Sequence, residues 1–342
     1  MTMKYSDAGV SIDTWNSVKG RIGELVASTY NSRVAGSFGQ FGGMFDISYL
    51  KGMDSPVLVS STDSVGTKVK IAYDTKVYHT VGIDIVNHCV DDILVMGAKP
   101  LFFLDYIGIG KLVPAIAEQL VSGLANACRA NGCVLIGGET AEMPDVYGGG
   151  EFDLVGTIVG VVDKGKVIDG ASIKAGDVVV GLRSAGLHTN GFSLARKIVT
   201  GIGGKKYSDV FQDGKTFGET LLAPHRSYIK LLPLMEKGVI KGCAHITGGG
   251  FTDNVNRILP PNCDAVINAK SWTPLPIFQY LQKTGGVENA EMYRTFNMGI
   301  GMTAVVSPEN VDLLLQYNEI TEYEPVIIGK IESGTGIVQM RF

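Results

Sequence analysis

The 342 residues contain no CxxC pair, no His/Cys set at zinc spacing, no block of lysine and arginine and no long apolar run. The five cysteines, Cys89, Cys128, Cys133, Cys243 and Cys263, are odd in number and irregularly spaced. That argues against a disulfide framework and fits free buried thiols in a reducing compartment, with a catalytic cysteine the less favoured reading. With no basic block and a net charge of −4, nucleic acid is not expected as a main partner. The run 101–110 is short and carries Asp105, whereas a membrane span needs about 18 apolar residues, so no membrane association is expected. The opening string MTMKYSDAGVSID has no apolar stretch of the secretory type. A signal peptide is therefore not expected, and a cytoplasmic location is. No repeat at a solenoid period occurs.

What is present points to a globular chain. Hydrophobic residues make up 45% and charged residues 19%, and the length suits two domains of roughly 170 residues each. Trp15, Val18, Ile22, Leu25 and Val26 recur at helical spacing, which predicts a helix over 13–30 with Asp13 as its cap. A glycine-rich segment, SFGQFGGMF (37–45), follows. Strands are then predicted at 56–63, 101–109, 133–136 and 154–162, and helices at 82–96 and 114–130, the latter opened by Pro114. The polar, aperiodic segment 163–177 marks a boundary, giving domains 1–168 and 169–342. The second half reads as strands at 178–182, 244–247, 265–268, 299–306 and 326–331, with helices from 192, 226, 252 and 276. The class is α/β, with alternating strands and helices in layers. The first half has few helices to cover both faces of its apolar sheet.

Charge patterning carries the most information. Between Lys76 and Lys99 there is no lysine or arginine, yet Asp84, Asp91 and Asp92 are present. On a helix, Asp84, His88, Asp91 and Asp92 fall within an arc of about 100°, opposite Val86, Cys89, Val90 and Ile93. Such a stripe is either a solvated face or a gathering of acids around a cation. A second stretch, from Arg129 to Lys164, holds Glu139, Glu142, Asp145, Glu151, Asp153 and Asp163 with no base between. Asp63 and Glu139 follow predicted strands, where open α/β sheets place ligands. Oxygen-only ligands favour Mg²⁺ over zinc.

Four glycine-bearing segments are each either a plain loop or an anion site. GQFGG (39–43) lacks the strand–turn–helix context of a dinucleotide fingerprint. TDSVGTK (62–68) offers Gly66, Thr67 and Lys68 but is not a Walker A. TGGGF (247–251) and LHTNGF (187–192) each follow a strand and precede a helix. His188 is either a structural or a functional histidine. Arg294 is either an anion clamp or a surface ion pair.

Taken in order, these strings resemble the AIR synthetase family. The matches run from YSDAGVSID (5–13) through TDSVGTK, VGIDIVNHCVDD (81–92), GAKPLFFLDY (97–106), GGETAEMP (137–144), LHTNGFSLARK (187–197), LLAPHRSYIK (221–230) and HITGGGFTDN (245–254) to EMYRTFNMGIGM (291–302). The chain departs from the family pattern at Ser64, where Gly is usual, and at GQFGG, where GGFGG is usual.

The resemblance implies an N-terminal ATP-binding domain whose sheet pairs across a homodimer, and a C-terminal domain with a mixed sheet and helices. It implies ATP-dependent closure of formylglycinamidine ribonucleotide (FGAM) to 5-aminoimidazole ribonucleotide (AIR) in purine biosynthesis, with ADP and phosphate released. ATP and Mg²⁺ are the implied cofactors, with K⁺ a further candidate. The implied ATP site comprises Gly39, Phe41, Gly42, Gly43, Thr62, Asp63, Gly66, Thr67, Lys68, Asp84, Asp105, Glu139 and Thr140. Asp63, Asp92 and Glu139 are the implied metal ligands. His188, Asn190, Gly191, Thr247, Gly248, Gly249, Gly250 and Arg294 are the implied FGAM contacts, and Lys68, Asp105 and His188 the implied catalytic set. The competing readings are another ATP-dependent enzyme of the wider superfamily, FGAM synthetase-like or a small-molecule kinase, and a non-catalytic nucleotide-binding protein.

Overall fold

The computed structural model describes residues 12–342, so most of the YSDAGVSID string lies outside the described residues. The chain divides into two compact units, residues 1–90 with 100–161, and residues 91–99 with 162–342.

In unit 1, Asp13 is itself a helical residue of α1 (Ile12–Ala27) and so does not stand at its cap position. Then come β1 (Pro56–Ser64), α2 (Lys68–Thr75), α3 (His79–Leu94), β2 (Lys99–Ile109), α4 (Pro114–Ala130), β3 (Val134–Glu142) and β4 (Phe152–Asp163). The sheet order is β1-β4-β2-β3. Pro114 opens α4, which buries Ala117, Leu120, Val121, Leu124 and Cys128 at helical spacing. The β2–α4–β3 crossover makes β2 and β3 parallel, with Asp105 opposite Gly138 and Tyr106 opposite Glu139. That pairing carries β3 through Glu142, six residues past its expected end, because β2 supplies hydrogen bonds to a glycine-rich segment with little strand character of its own.

Along β4, buried Phe152, Leu154 and Ile158 alternate with half-buried Val155, Thr157 and Val159. One sheet face is thus covered and the other more open. Thr157 on the open face bonds Thr62 at 2.8 Å, and Leu58 of β1 stands 60% exposed.

Unit 2 contains β5 (Val178–Arg183), α5 (Phe192–Arg196), β6 (Val210–Gln212), β7 (Lys215–Thr216), α6 (Phe217–Leu221), α7 (Leu232–Glu236), β8 (Ile240–His245) and α8 (Gly250–Val255). It continues with β9 (Cys263–Asn268), α9 (Pro276–Gly285), α10 (Asn289–Thr295), β10 (Ile300–Val306), α11 (Val311–Leu315), β11 (Val326–Ser333) and β12 (Val338–Arg341). The main sheet runs β12-β9-β11-β5-β10-β8. Its β12–β9 pair is parallel, whereas β9–β11, β11–β5, β5–β10 and β10–β8 are antiparallel. The sheet is mixed, in keeping with the expected class. Val180, Leu182, Met302, Ala304 and Val306 pack on Tyr228, Leu231, Leu234, Leu314 and Tyr323 to form one core. The helix expected from Arg226 is instead a short 3₁₀ turn followed by the five-residue α7. No helix of the described residues is long and apolar enough to cross a membrane.

Candidate active site

Unit 1 holds a cavity of about 730 Å³ lined by Trp15, Lys19 and Tyr30, the 36–44 loop, Leu104, Asp105, Ile136–Thr140 and Glu142. Its base is the β2–β3 pair. A Cβ at Gly138 would run into the Asp105 carboxylate and carbonyl of the neighbouring strand, so glycine there keeps the acid in place. Burial pushes the Asp105 carboxyl up to about 7, with its own backbone N–H opposing and the Glu139 charge adding. Glu139 is exposed, and no described ion pair takes it.

The cavity brings together Gly39, Phe41, Gly42, Gly43, Asp105, Glu139 and Thr140 of the expected ATP set. Thr62, Asp63, Gly66, Thr67, Lys68 and Asp84 do not line it. Lys68 and Asp84 are fully buried and pair at 2.7 Å. Burial holds the Lys68 pKa below the ordinary lysine value, and Asp84 opposes that shift. Asp84 has a cationic partner from α2, which no count along its own helix could reveal. Lys68 is held in the interior by this pair and does not line the cavity. Asp63 Oδ2 lies 2.8 Å from the buried His88 Nε2, and its Oδ1 accepts from the Ser64 N–H at 2.6 Å. Trp15, Lys19, Tyr30 and Phe38 were not expected here, since periodicity assigned Trp15 to the core stripe of α1.

Unit 2 builds a second constellation where β5 and β8 end and β10 begins. Asp92 Oδ1 is 2.9 Å from His245 Nδ1, and His245 Nε2 is 3.1 Å from His225 Nε2. The carboxylate only accepts, so His245 carries its proton on Nδ1 and accepts from His225 Nε2–H. Asp91 Oδ2 lies 3.2 Å from the same His225 nitrogen, and Thr189 Oγ1 lies 3.5 Å from His225 Nδ1. Asp91 is fully buried, which raises its pKa well above the carboxylate range; the Tyr228 N–H opposes this and the Asp92 charge reinforces it. The stripe on α3 is therefore no solvated face at Asp84 or Asp91.

His188, at φ +63°, stacks on His225 with ring centres 4.0 Å apart. Its Nε2 accepts from the Ala185 and Arg226 N–H groups at 3.3 and 3.4 Å. The 247–250 turn is tied by Asn254 Nδ2, which donates to the Gly250 carbonyl at 2.7 Å. Gly250 has φ +63° and abuts the Tyr293 carbonyl, so no side chain fits there. A Cβ at Gly248 would stand 3.3 Å from Asn190 Oδ1, and one at Gly250 would stand 3.1 Å from the Arg294 Cα. The structure thus gathers His188, Asn190, Thr247–Gly250 and the base of Arg294 at one end of the sheet. Sequence reasoning gave no role to His225 and His245, which appeared only within the PHRSY and HITGGG strings.

Residues 46–162 match the model of the AIR synthase related protein N-terminal domain, and residues 174–340 match that of its C-terminal domain. A phosphoribosylformylglycinamidine cyclo-ligase from Brevibacillus brevis is 47% identical over 98% of this chain and 97% of its own. The chain belongs to the phosphoribosylformylglycinamidine cyclo-ligase family. Structures with this cyclo-ligase's fold extend beyond close sequence relatives. A thiamine-monophosphate kinase from Stenotrophomonas maltophilia superimposes with a TM-score of 0.67 at 17% identity, covering 93% of this chain and 94% of the kinase. The hydrogenase maturation protein HypE, in complex with ATP, does so with 0.63 at 16%, covering 92% and 88%.

Proposed function

We propose that this protein is an ATP-dependent cyclo-ligase that closes FGAM to AIR, releasing ADP and phosphate, in purine biosynthesis. The observation that carries this reading is the near-full-length identity with named cyclo-ligases. The amide oxygen of FGAM is a poor leaving group. Transfer of the ATP γ-phosphoryl to it yields an iminophosphate, whose carbon the amidine nitrogen attacks as phosphate departs. The protein's work is to orient the two reactants, exclude water and meet developing negative charge.

The unit 1 cavity suits ATP in size and lining, with Trp15, Leu104 and Ile136 as apolar walls, glycine amides from 39–43, and Lys19. ATP-bound HypE, a protein of the same fold, supports this assignment. Asp63, Asp92 and Glu139 are proposed to hold Mg²⁺, which would neutralise phosphoryl charge during transfer. An oxygen-only donor set fits that ion, and Glu139 is accessible. K⁺ remains a proposed second ion. His188, Asn190, Gly191, Thr247–Gly250 and Arg294 are proposed to hold FGAM. With Nε2 of His188 engaged by two backbone amides, a proton it carries sits on Nδ1. Lys68 is proposed to brace the Gly66–Thr67 turn from below. Domains 1–168 and 169–342 are proposed to carry ATP and FGAM respectively, in a cytoplasmic enzyme. The expected result is ADP release that requires both FGAM and Mg²⁺, with AIR formed. Equal ATP turnover with and without FGAM, and no AIR, would end this reading.

The open face of the unit 1 sheet supports a homodimer. Leu58, Val155 and Val159 on it leave apolar area in water that a second copy would cover. Light scattering of the wild type should give the dimer mass at micromolar concentration. Leu58→Asp should shift it towards monomer while leaving the melting temperature nearly unchanged. A monomeric wild type contradicts the assembly.

A further inference from the structure

The His225 side chain has no solvent exposure. An apolar ring of similar size would avoid the cost of desolvating two nitrogens, so a histidine there has to be explained by what those nitrogens meet. Its Nε2 lies 3.1 Å from His245 Nε2 and 3.2 Å from Asp91 Oδ2. Its Nδ1 lies 3.5 Å from Thr189 Oγ1, and its face stacks on His188 with ring centres 4.0 Å apart. The His245 ring stands at 75° to it. One side chain therefore touches three separate elements: the last turn of α3, the end of β8 and the loop between β5 and α5.

The hydrogen bonds share one direction. Asp92 Oδ1 accepts from His245 Nδ1–H at 2.9 Å, which makes Nε2 the acceptor of the neutral His245 ring. His225 Nε2–H donates to it. The other His225 nitrogen, Nδ1, then accepts, and the Thr189 hydroxyl is its donor. Without the His225 donor, the His245 proton can sit on Nε2 instead, and in that tautomer Nδ1 repels the Asp92 carboxylate. A partner that fixes the tautomer of a histidine also fixes the orientation of its ring. His225 is itself steadied from the far side by Asp91, whose Oδ1 accepts from the Tyr228 N–H at 2.8 Å. Pro224 stiffens the chain just before it.

We propose that His225 is a positioning residue with two separate arms. Through its Nε2–H it locks the His245 tautomer, and so sets the direction in which Asp92 presents its carboxylate to a divalent cation. Through its ring face it holds the His188 ring in the plane in which it meets the substrate. The inference rests on the cyclo-ligase reading for what Asp92 and His188 hold, and on the hydrogen-bond polarity and the stack for the two arms.

The two arms can be cut one at a time in the full chain. His225→Phe keeps a ring against His188 but has nothing to donate to His245. Its Mn²⁺ dissociation constant, read by electron paramagnetic resonance with Mn²⁺ as the only added ligand, should rise about tenfold or more, the usual effect of losing a partner behind a metal ligand. Its FGAM KM should stay near wild type. His225→Gln keeps an N–H for His245 but has no ring. It should raise the FGAM KM about threefold to tenfold, as expected for a lost aromatic stack, and leave Mn²⁺ affinity near wild type. His245→Asn keeps a donor for Asp92 but not the tie to His225. It should weaken Mn²⁺ binding as the Phe variant does, and it serves if that variant does not fold. A histidine that only fills the interior predicts lower melting temperatures, with Mn²⁺ affinity and FGAM KM unmoved or moved together in both His225 variants. That pattern would overturn the inference, and so would a wild type that binds no Mn²⁺. A wild type that binds Mn²⁺ but makes no AIR refutes the cyclo-ligase reading instead, and the Mn²⁺ titration of His225→Phe still decides the arm to Asp92.

Discussion

Asp92→Asn is expected to lower turnover at saturating Mg²⁺ by about a hundredfold or more, with little change in the metal-free melting temperature. Two roles compete for this carboxylate. In one, it holds Nδ1–H of His245, at 2.9 Å, and nothing more. An asparagine oxygen can accept that same hydrogen bond, so this role alone predicts near-normal activity. In the other, the negative charge itself is needed to bind Mg²⁺, and asparagine cannot supply it. Stability separates the roles further. The Asp92 charge helps to raise the pKa of buried Asp91, so removing it relieves repulsion in the empty site. That gain offsets the weaker bond to His245, and the net change should stay within about 1 kcal/mol. Asp63→Asn should behave alike, because the amide can still meet His88 Nε2. Glu139→Gln, at an exposed side chain, should lose activity with no stability change. Near-normal turnover in all three variants would remove the metal assignment.

The α3 stripe shows what the sequence could and could not disclose. Helical spacing correctly put Asp84, His88, Asp91 and Asp92 on one face. It could not say what covers that face. The cover for Asp84 is Lys68, from a different helix, and for Asp91 it is His225 and the Tyr228 N–H, more than a hundred residues further along. Burial of a charge is a tertiary fact, and only the partners make it affordable. Apart from β3, which runs six residues past its expected end, the apolar strands were legible to within a few residues because β-branched runs bounded by glycine have few alternatives. The weakly patterned pieces were not, among them β6, β7, α10 and the edge strand β12. The same division holds for the cavity. Its glycine loop was visible as composition, whereas Lys19 and Tyr30 reach it only because α1 lies alongside.

Lys68→Met should destabilise the protein by about 3–5 kcal/mol at neutral pH, because it leaves the Asp84 carboxylate fully buried without its ammonium. The native pair sits at 2.7 Å with no exposure on either side chain, so water cannot solvate what the substitution strands. A surface pair would cost under about 1 kcal/mol. The double variant Lys68→Met with Asp84→Leu removes both charges and fills the space with apolar atoms, and should recover most of the loss. Its activity then decides what Lys68 is for. If the lysine only braces α2 against α3 beneath Gly66 and Thr67, turnover should return with the fold. If the ammonium reaches ATP phosphates during the reaction, the double variant should melt near wild type yet remain slow by about a hundredfold or more. Denaturant unfolding of the single and double variants, followed by ADP release from the double, makes the measurement. A Lys68→Met variant within about 0.5 kcal/mol of wild type would contradict the buried pair itself.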